Sequence, residues 1–144
     1  RHAHSHKVIQ TDSLILSLPL LLGKRLPAEV IRHLVAGLKD PNRFLTGHGL
    51  ATEHPTSAYY QADGYWRGPI WAPSTMLLID GLNAVGEVAF AQDLSRRFCA
   101  MVERSGMAEN FDAITGEGLR DRAYSWTSSV FLVLASKYRA LNEG

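Results

Sequence analysis

The sequence of 144 residues predicts an all-α fold of five helices that pair mostly as antiparallel hairpins. Three observations predict it. Apolar residues recur at helical spacing, and glycine or proline stands at most segment ends. Two long stretches, 44–70 and 107–122, lack any period and are too rich in polar and aromatic residues to be mere connectors. The helices are too unevenly spaced for a solenoid of fixed repeat length.

The first two helices are predicted from their end signals. Thr11 or Asp12 could cap a helix through SLILSLPLLL, which Pro19 kinks or restarts and Gly23 ends. The second helix spans about 27–39, where proline opens the helix and a glutamate in the first turn suits the helix dipole.

Three more helices follow the first long loop. Pro73 and Ser74 open the third helix, whose apolar residues point in most directions, so it is expected to be buried nearly all round. Gly86 ends it, and an amphipathic fourth helix runs on to Gly106. The last helix is predicted over about 124–141, again with apolar residues at helical spacing.

Composition excludes several classes of protein. The net charge is +1, the apolar fraction is 46% and the charged fraction is 20%, which are ordinary values for a globular domain. Basic residues are scattered, so neither nucleic acid nor an anionic membrane is predicted as a partner. No apolar run is long enough for a transmembrane helix. The single cysteine, Cys99, excludes an intrachain disulfide and is expected to be buried and unreactive, which leaves the compartment open.

The stretch YWRGPIW, residues 65–71, concentrates aromatic side chains around an Arg-Gly-Pro turn. It could form a packing corner, or it could form a wall on which sugars stack, because flat aromatic rings contact the C–H faces of sugars. Trp66 is the stronger candidate for such a wall. Arg67 could contact a substrate oxygen, or it could pin the loop to a carbonyl or to Asp63. Trp71 could contact sugar or simply cap the helix that follows.

The second loop contains an acid, Glu109, within Ala-Glu-Asn-Phe-Asp. Taken alone, these residues favour a solvated loop acid, because such acids are common. Tyr124 and Trp126 lie where the loop meets the last helix and could line a pocket or form a core corner. Asp80, an acid within an apolar helix, is interpreted as a polar group satisfied by a structural partner.

The sequence resembles a known clan of enzymes over roughly residues 12–140. The segment GLATEHPTSAYYQADGYWRGPIWAPSTMLLIDGL, followed by AENFDAITGEGL and YSWTSSVFL, is similar to the C-terminal half of inverting α-glycosidases. Within that clan it is most similar to glycoside hydrolase family 63, the processing α-glucosidases and mannosylglycerate hydrolases, and more distantly to trehalases. The resemblance implies that residues 1–144 form the C-terminal portion of an (α/α)6 toroid.

The resemblance also implies roles for individual residues. Glu109 matches the general base, which activates water on the sugar face opposite the leaving group. The family's general acid is an aspartate in the first half of the toroid, and no residue here matches its motif. The chain alone is therefore expected to be inactive. No cofactor or metal is implied. The residues expected at the substrate are Tyr65, Trp66, Arg67, Trp71, Tyr124 and Trp126.

Histidines give weaker signals. His2, His4 and His6 alternate as a zinc site in a strand would require, but no Cys, Asp or Glu cluster accompanies them, so a metal site is not predicted. They lie in the first eleven residues, which read as irregular. His48 and His54 fall in the first long loop and could touch substrate.

Three functions therefore stay open on the sequence. The first is the base-bearing part of an inverting α-glycosidase, whose partners are a glycoside or oligosaccharide and the rest of the catalytic domain, supplied by an N-terminal half or another chain. The second is a non-catalytic helical module that binds carbohydrate. The third is a purely structural interaction domain.

Overall fold

The structure, a computed structural model, describes residues 12–142 and is mostly helical. The predicted helical class is confirmed, and the predicted helix positions agree to within a few residues. The proposals for residues 1–11, including the Thr11 cap and the alternating histidines, lie outside the described residues. The elements are a 3₁₀ segment Leu14–Arg25, helices α1 Ala28–Lys39, α2 Ala72–Val85, α3 Val88–Ser105 and α4 Ser125–Asn142, and strands β1 Asn110–Phe111 and β2 Gly118–Leu119.

The first predicted helix is a 3₁₀ segment with a break inside it. Pro19 offers no N–H to a helical ladder, and Gly23 adopts φ 57° and ψ −136°, outside the helical region. Ser13 occupies the cap position but makes no capping bond with its side chain. Asp12 is not the cap either, since its carboxylate pairs with Arg43. Gly23 thus marks a real change of direction, as the sequence indicated.

Helix α2 is central to the domain and packs against the 3₁₀ segment, α3 and α4. Its buried side includes Leu78, Ile79 and Leu82. The expectation that it would be buried nearly all round was wrong, because Leu77 is exposed. Asp80 lies on a half-exposed side and pairs with Lys137 of α4 at 3.9 Å, so its charge needs no buried partner.

A continuous apolar core lies beneath these helices. Phe98 of α3 meets Phe111 of β1 edge to face, with ring centroids 6.2 Å apart, and both are fully buried. Cys99 is buried as predicted, and burial raises the pKa of its thiol to about 11, with the charge of Glu103 as a smaller cause. The thiol is therefore protonated near neutral pH, which fits an unreactive packing role.

Isolated bridges help to hold the two long loops, and the second loop also contains the antiparallel β1–β2 pair. Leu45 pairs with Leu50 within the first loop. Ile70, at the end of that loop, pairs with Phe111 in the second loop. The loops that carry the aromatic motif and the candidate base are consequently joined by backbone bonds.

The close approach of α2 to the 3₁₀ segment gives a stability prediction. A Cβ on Gly81 would lie 3.0 Å from the backbone carbonyl carbon of Leu20, whereas a Cβ on Gly37 of α1 would meet only the guanidinium tip of Arg43. We expect Gly81→Ala to lower the free energy of unfolding by about 1–3 kcal/mol through overpacking. Gly37→Ala should stay within about 1 kcal/mol of wild type, because helix propensity improves and the arginine can move. Chemical denaturation checks both, and equal losses would contradict the packing argument.

Candidate active site

Hydrogen bonds to the Gln61 backbone and to the Thr52 side chain close the Arg-Gly-Pro turn. The Gln61 N–H donates to the Arg67 carbonyl at 2.7 Å. The Gly68 N–H donates to the Thr52 hydroxyl at 3.0 Å, and that hydroxyl donates to the Pro69 carbonyl at 2.9 Å. A Cβ at Gly68 would lie 2.1 Å from the Gln61 carbonyl oxygen, so only glycine fits there. The turn is thus a rigid mount for the aromatic residues around it.

The aromatic residues of this turn form a stack. Trp66 lies flat on Trp71, with ring centroids 4.2 Å apart and an interplanar angle of 11°. Tyr65 meets Trp71 edge on at 4.7 Å, and its carbonyl accepts the Trp71 Nε1–H at 2.8 Å. Trp71 is fully buried, whereas Trp66 is 45% exposed and Tyr65 42% exposed. Trp71 is therefore the floor of the stack, and the other two rings form its surface.

The junction between the second loop and α4 adds two more rings. Trp126 lies 6.3 Å from Trp71 between ring centroids and is 50% exposed. Tyr124 meets Trp126 edge on at 5.6 Å. We call the five rings Tyr65, Trp66, Trp71, Tyr124 and Trp126 the aromatic cluster. The sequence predicted all five as site residues, and the fold brings them together from two loops.

Glu109, the candidate base, is the residue immediately before β1. The Glu109 N–H donates to the Asp121 carbonyl at 2.7 Å. Two residues further on, Phe111 exchanges two backbone hydrogen bonds with Ile70, at 2.8 and 3.0 Å. Glu109 itself is only partly buried. Its backbone is therefore fixed on both sides while its carboxylate stays accessible.

The start of α4 binds the backbone of the two residues that precede Glu109. The Tyr124 N–H donates to the Met107 carbonyl at 2.8 Å. The buried Thr127 hydroxyl donates to the Ala108 carbonyl at 2.6 Å. The two carbonyls that precede Glu109 are both bound by this helix, so the position of Glu109 is set by α4 as well as by its own loop.

The surroundings of Tyr65 raise the pKa of its phenol above the ordinary value. Desolvation is the largest cause that raises the pKa of Tyr65, followed by a hydrogen bond between its side chain and that of Glu109 and by the negative charge of Glu109. Tyr124 contributes in the same direction, and the cation Arg120 opposes it. The phenol thus keeps its proton near neutral pH beside a carboxylate. This arrangement can bind a sugar on aromatic faces and accept a proton from water.

The structure shows the partners of two arginines in this region, Arg67 and Arg120. Arg67 donates to the side chain of Gln61 at 2.8 Å, so it pins the loop, as one of its two predicted roles required. Its suggested partner, Asp63, is instead paired with Arg120 at 2.7 Å. The sequence analysis missed Arg120, because nothing in the local pattern separates it from the neighbouring exposed Arg122.

Neither loop histidine joins the aromatic cluster through a described contact. A Cβ on Gly116 would lie 3.0 Å from the ring of His48, so this ring packs on the turn of the second loop. His54 bonds to the Thr56 hydroxyl at 3.0 Å and meets Phe44 edge on. Both histidines therefore support loops.

Neither a metal centre nor a membrane-spanning helix is found among residues 12–142. No group of three or more His, Cys, Asp and Glu side chains there is arranged to hold a metal ion. In the same part of the chain, none of the helices combines the length and the apolar character needed to cross a membrane.

Comparison with known families decides the class of protein. The family model described as "Mannosylglycerate hydrolase MGH1-like glycoside hydrolase domain" matches residues 1–127. The chain belongs to this family. The resemblance to glycoside hydrolase family 63 is thereby confirmed.

Individual relatives agree with the family. A mannosylglycerate hydrolase of Thermus thermophilus is 32% identical over 83 residues, which are 58% of this chain and 20% of that protein. The crystal structure of a family 63 mannosylglycerate hydrolase from Thermus thermophilus, in complex with glucose, superposes with a TM-score of 0.72 at 28% identity. That match covers 90% of this chain and 32% of the other. The matched part of this chain therefore spans about a fifth to a third of the length of these relatives.

A more distant structure shows the shared fold alone. The neutral trehalase of Saccharomyces cerevisiae matches with a TM-score of 0.67 at 21% identity, over 90% of this chain and 24% of the other. The family member described here thus has the helical architecture of family 63 and trehalase-like α/α barrels, as the sequence predicted.

The buried floor of the aromatic cluster gives a second prediction. Trp71→Phe removes the donor to the Tyr65 carbonyl and shrinks the surface under Trp66, and we expect it to lower the free energy of unfolding by about 1–3 kcal/mol. Trp126→Phe changes a half-exposed ring and should cost about 0.5 kcal/mol or less. Urea denaturation followed by circular dichroism measures both. A larger loss for Trp126→Phe would show that Trp71 is not the floor.

Proposed function

We propose that this chain is the base-bearing part of a glycoside hydrolase that cleaves α-glycosidic bonds with inversion, and that Glu109 is the general base. One observation carries the proposal. Among the described residues, Glu109 is the acid that raises the pKa of Tyr65 in the aromatic cluster, and its backbone N–H is fixed by the Asp121 carbonyl at 2.7 Å. Membership of a glycoside hydrolase family supports the same reaction class.

The chemistry fits an inverting mechanism. A general base must leave room for a water molecule between itself and the sugar, so the two carboxyl groups of inverting enzymes lie about 6.5–9.5 Å apart. Glu109 is partly exposed, and its backbone is held by Asp121. In the proposed reaction it takes a proton from water, and the water attacks the anomeric carbon from the face opposite the leaving group.

The aromatic cluster supplies the proposed sugar-binding wall. Trp66 presents an exposed ring whose centroid lies 6.1 Å from that of Tyr65, and the exposed Trp126 and neighbouring Tyr124 extend the surface from the other loop. Trp71 acts through Trp66, because it is fully buried beneath it. Arg67 stands at the rim of the turn, where it could donate to a substrate oxygen besides holding Gln61.

We further propose that residues 1–144 are the C-terminal portion of the catalytic domain, whose remainder supplies the general acid. The chain spans 32% of the solved relative, which leaves most of that enzyme unmatched. A cavity of about 230 Å³ beside Trp66 is lined mainly by apolar side chains, including the exposed Ile15 and Leu77. Exposed apolar surface of this kind suits packing against another part of a domain. Further exposed leucines of the 3₁₀ segment are Leu16, Leu21 and Leu22.

The base assignment is tested in the complete enzyme that contains these residues. We expect Glu109→Gln to lower kcat by a factor on the order of 10²–10⁴, because the amide cannot accept the proton of water, while glycoside binding persists. Glu117→Gln changes an exposed acid of the same loop and should leave kcat near wild type. Turnover of an α-glycoside, with the anomer of the released sugar followed by NMR, measures both rate and stereochemistry. Full activity of Glu109→Gln would exclude it as the base, and a retained anomeric configuration would exclude inversion.

The sugar wall is tested through its most exposed stacked ring. Trp66→Ala should raise KM roughly two- to tenfold through the lost contact between ring and sugar. Tyr59→Ala removes an exposed aromatic of the same loop that lies outside the cluster, and its KM should not change. Initial-rate kinetics in the complete enzyme provide the comparison. An equal effect of the two substitutions would argue against stacking at Trp66.

A further inference from the structure

Two residues with strained backbone meet at the site. Within residues 12–142, the non-glycine residues with left-handed φ are Tyr65, at 61°, and Arg120, at 63°. Such a conformation costs about 1–3 kcal/mol at a residue with a bulky side chain and persists only where its surroundings impose it. The two residues belong to different loops, yet the Arg120 guanidinium carbon lies 5.2 Å from the centre of the Tyr65 ring. The two strained residues, one from each loop, therefore contact each other.

Arg120 is anchored in place by Asp63. Its Nη2 atom lies 2.7 Å from an Asp63 carboxylate oxygen and also donates to the Asp63 carbonyl at 3.2 Å. Both side chains are exposed, so this ion pair contributes little to global stability. A planar guanidinium held by two oxygens on one residue has a fixed orientation, however. The pair therefore sets where the cation lies over Tyr65.

Arg120 is also connected to the candidate base through the backbone. The residue that follows it, Asp121, accepts the Glu109 N–H at 2.7 Å, and the residue before it, Leu119, pairs with Asn110 in the short hairpin. The left-handed turn at Arg120 lets the main chain stay on Glu109 while the side chain reaches Tyr65. Arg120 is thus linked to Glu109 by two indirect routes, one through Asp121 and one through Tyr65.

Tyr65 completes the connection at the carboxylate. Glu109 is a side-chain neighbour that raises the pKa of the Tyr65 phenol, and the Tyr65 carbonyl is fixed by the Trp71 indole at 2.8 Å. A phenol donor on one carboxylate oxygen orients the group and leaves the other oxygen for water. Orientation of this kind matters because small misplacements of a reacting group cost large factors in rate.

On the role proposed above for Glu109, we propose that Asp63, Arg120 and Tyr65 form a positioning triad that orients the Glu109 carboxylate toward its water. Tyr65 then serves the base more than it stacks on sugar, and the stacking surface is left to Trp66 and Trp126. Arg120 and Asp63 are positioning residues, since they act through Tyr65.

Kinetics of the complete enzyme test the triad. Arg120→Gln and Asp63→Asn should each lower kcat roughly ten- to hundredfold with little change in KM. The double variant should be no worse than the poorer single variant, because the two side chains act as one unit. Arg120→Lys keeps the charge and should recover part of the loss. Arg122→Gln, an exposed arginine two residues away, is the matched control and should remain within about twofold of wild type.

A spectroscopic readout accompanies the kinetics. The ultraviolet absorbance of tyrosinate, taken as the difference between wild type and Tyr65→Phe, follows the titration of Tyr65. The groups that act on this phenol are Glu109, Tyr124 and Arg120. Since the Arg120 cation lowers the pKa of Tyr65, Arg120→Gln should move its titration to higher pH. Arg122→Gln should leave it in place.

The outcomes separate this proposal from the function on which it rests. If Glu109→Gln is inactive while Arg120→Gln and Asp63→Asn keep wild-type kcat, the triad is wrong and the base assignment stands. If Glu109→Gln is fully active, the proposed function fails, and the triad fails with it. An unchanged titration of Tyr65 in Arg120→Gln also overturns the triad. Asp63→Asn, which leaves Arg120 in place, keeps the kinetic test decisive should Arg120→Gln not fold.

Discussion

The paired backbone bonds between Ile70 and Phe111 are the constraint on which the rest of the site depends. Each residue donates to the other, at 2.8 and 3.0 Å, and both side chains are fully buried. Buried amides that lost these partners would each cost about 1–3 kcal/mol, so the register is strongly held. Trp66 lies a few residues before Ile70 in the sequence, and Glu109 lies a few residues before Phe111. The pair therefore ties the backbone near Trp66 to the backbone near Glu109.

The YWRGPIW motif combines a buried packing corner with an exposed aromatic surface. Its second half is a packing corner, because Gly68 through Trp71 are buried and Trp71 starts α2. Its first half is a surface, because Tyr65 and Trp66 are exposed on top of that corner. An exposed aromatic stack gains rigidity from a buried floor, and a rigid surface loses less entropy when a ligand binds.

The sequence predicts features that a single residue type marks, such as helix ends at glycine. It does not predict backbone conformations and ion pairs that depend on contacts between distant parts of the chain. Gly86 and Gly106 end helices with positive φ, a conformation that favours glycine, so the ends of α2 and α3 were legible. Tyr65 and Arg120 adopt left-handed φ without being glycine, so no local signal indicated them. The partner of Asp63 was likewise hidden, since an aspartate can pair with any arginine that the fold brings near.

Exposed apolar surface lies beside the aromatic cluster. Apolar side chains that stay exposed near Trp66, such as Leu77 and Ile15, line a cavity of about 230 Å³ together with that ring. Water contact with such a surface is unfavourable, so a segment that covers it gains free energy from burial. Under the proposed function, that segment belongs to the part of the domain that carries the general acid. Covering the cavity and placing the acid opposite Glu109 would then be one packing event, with Trp66 in contact with both substrate and the covering segment.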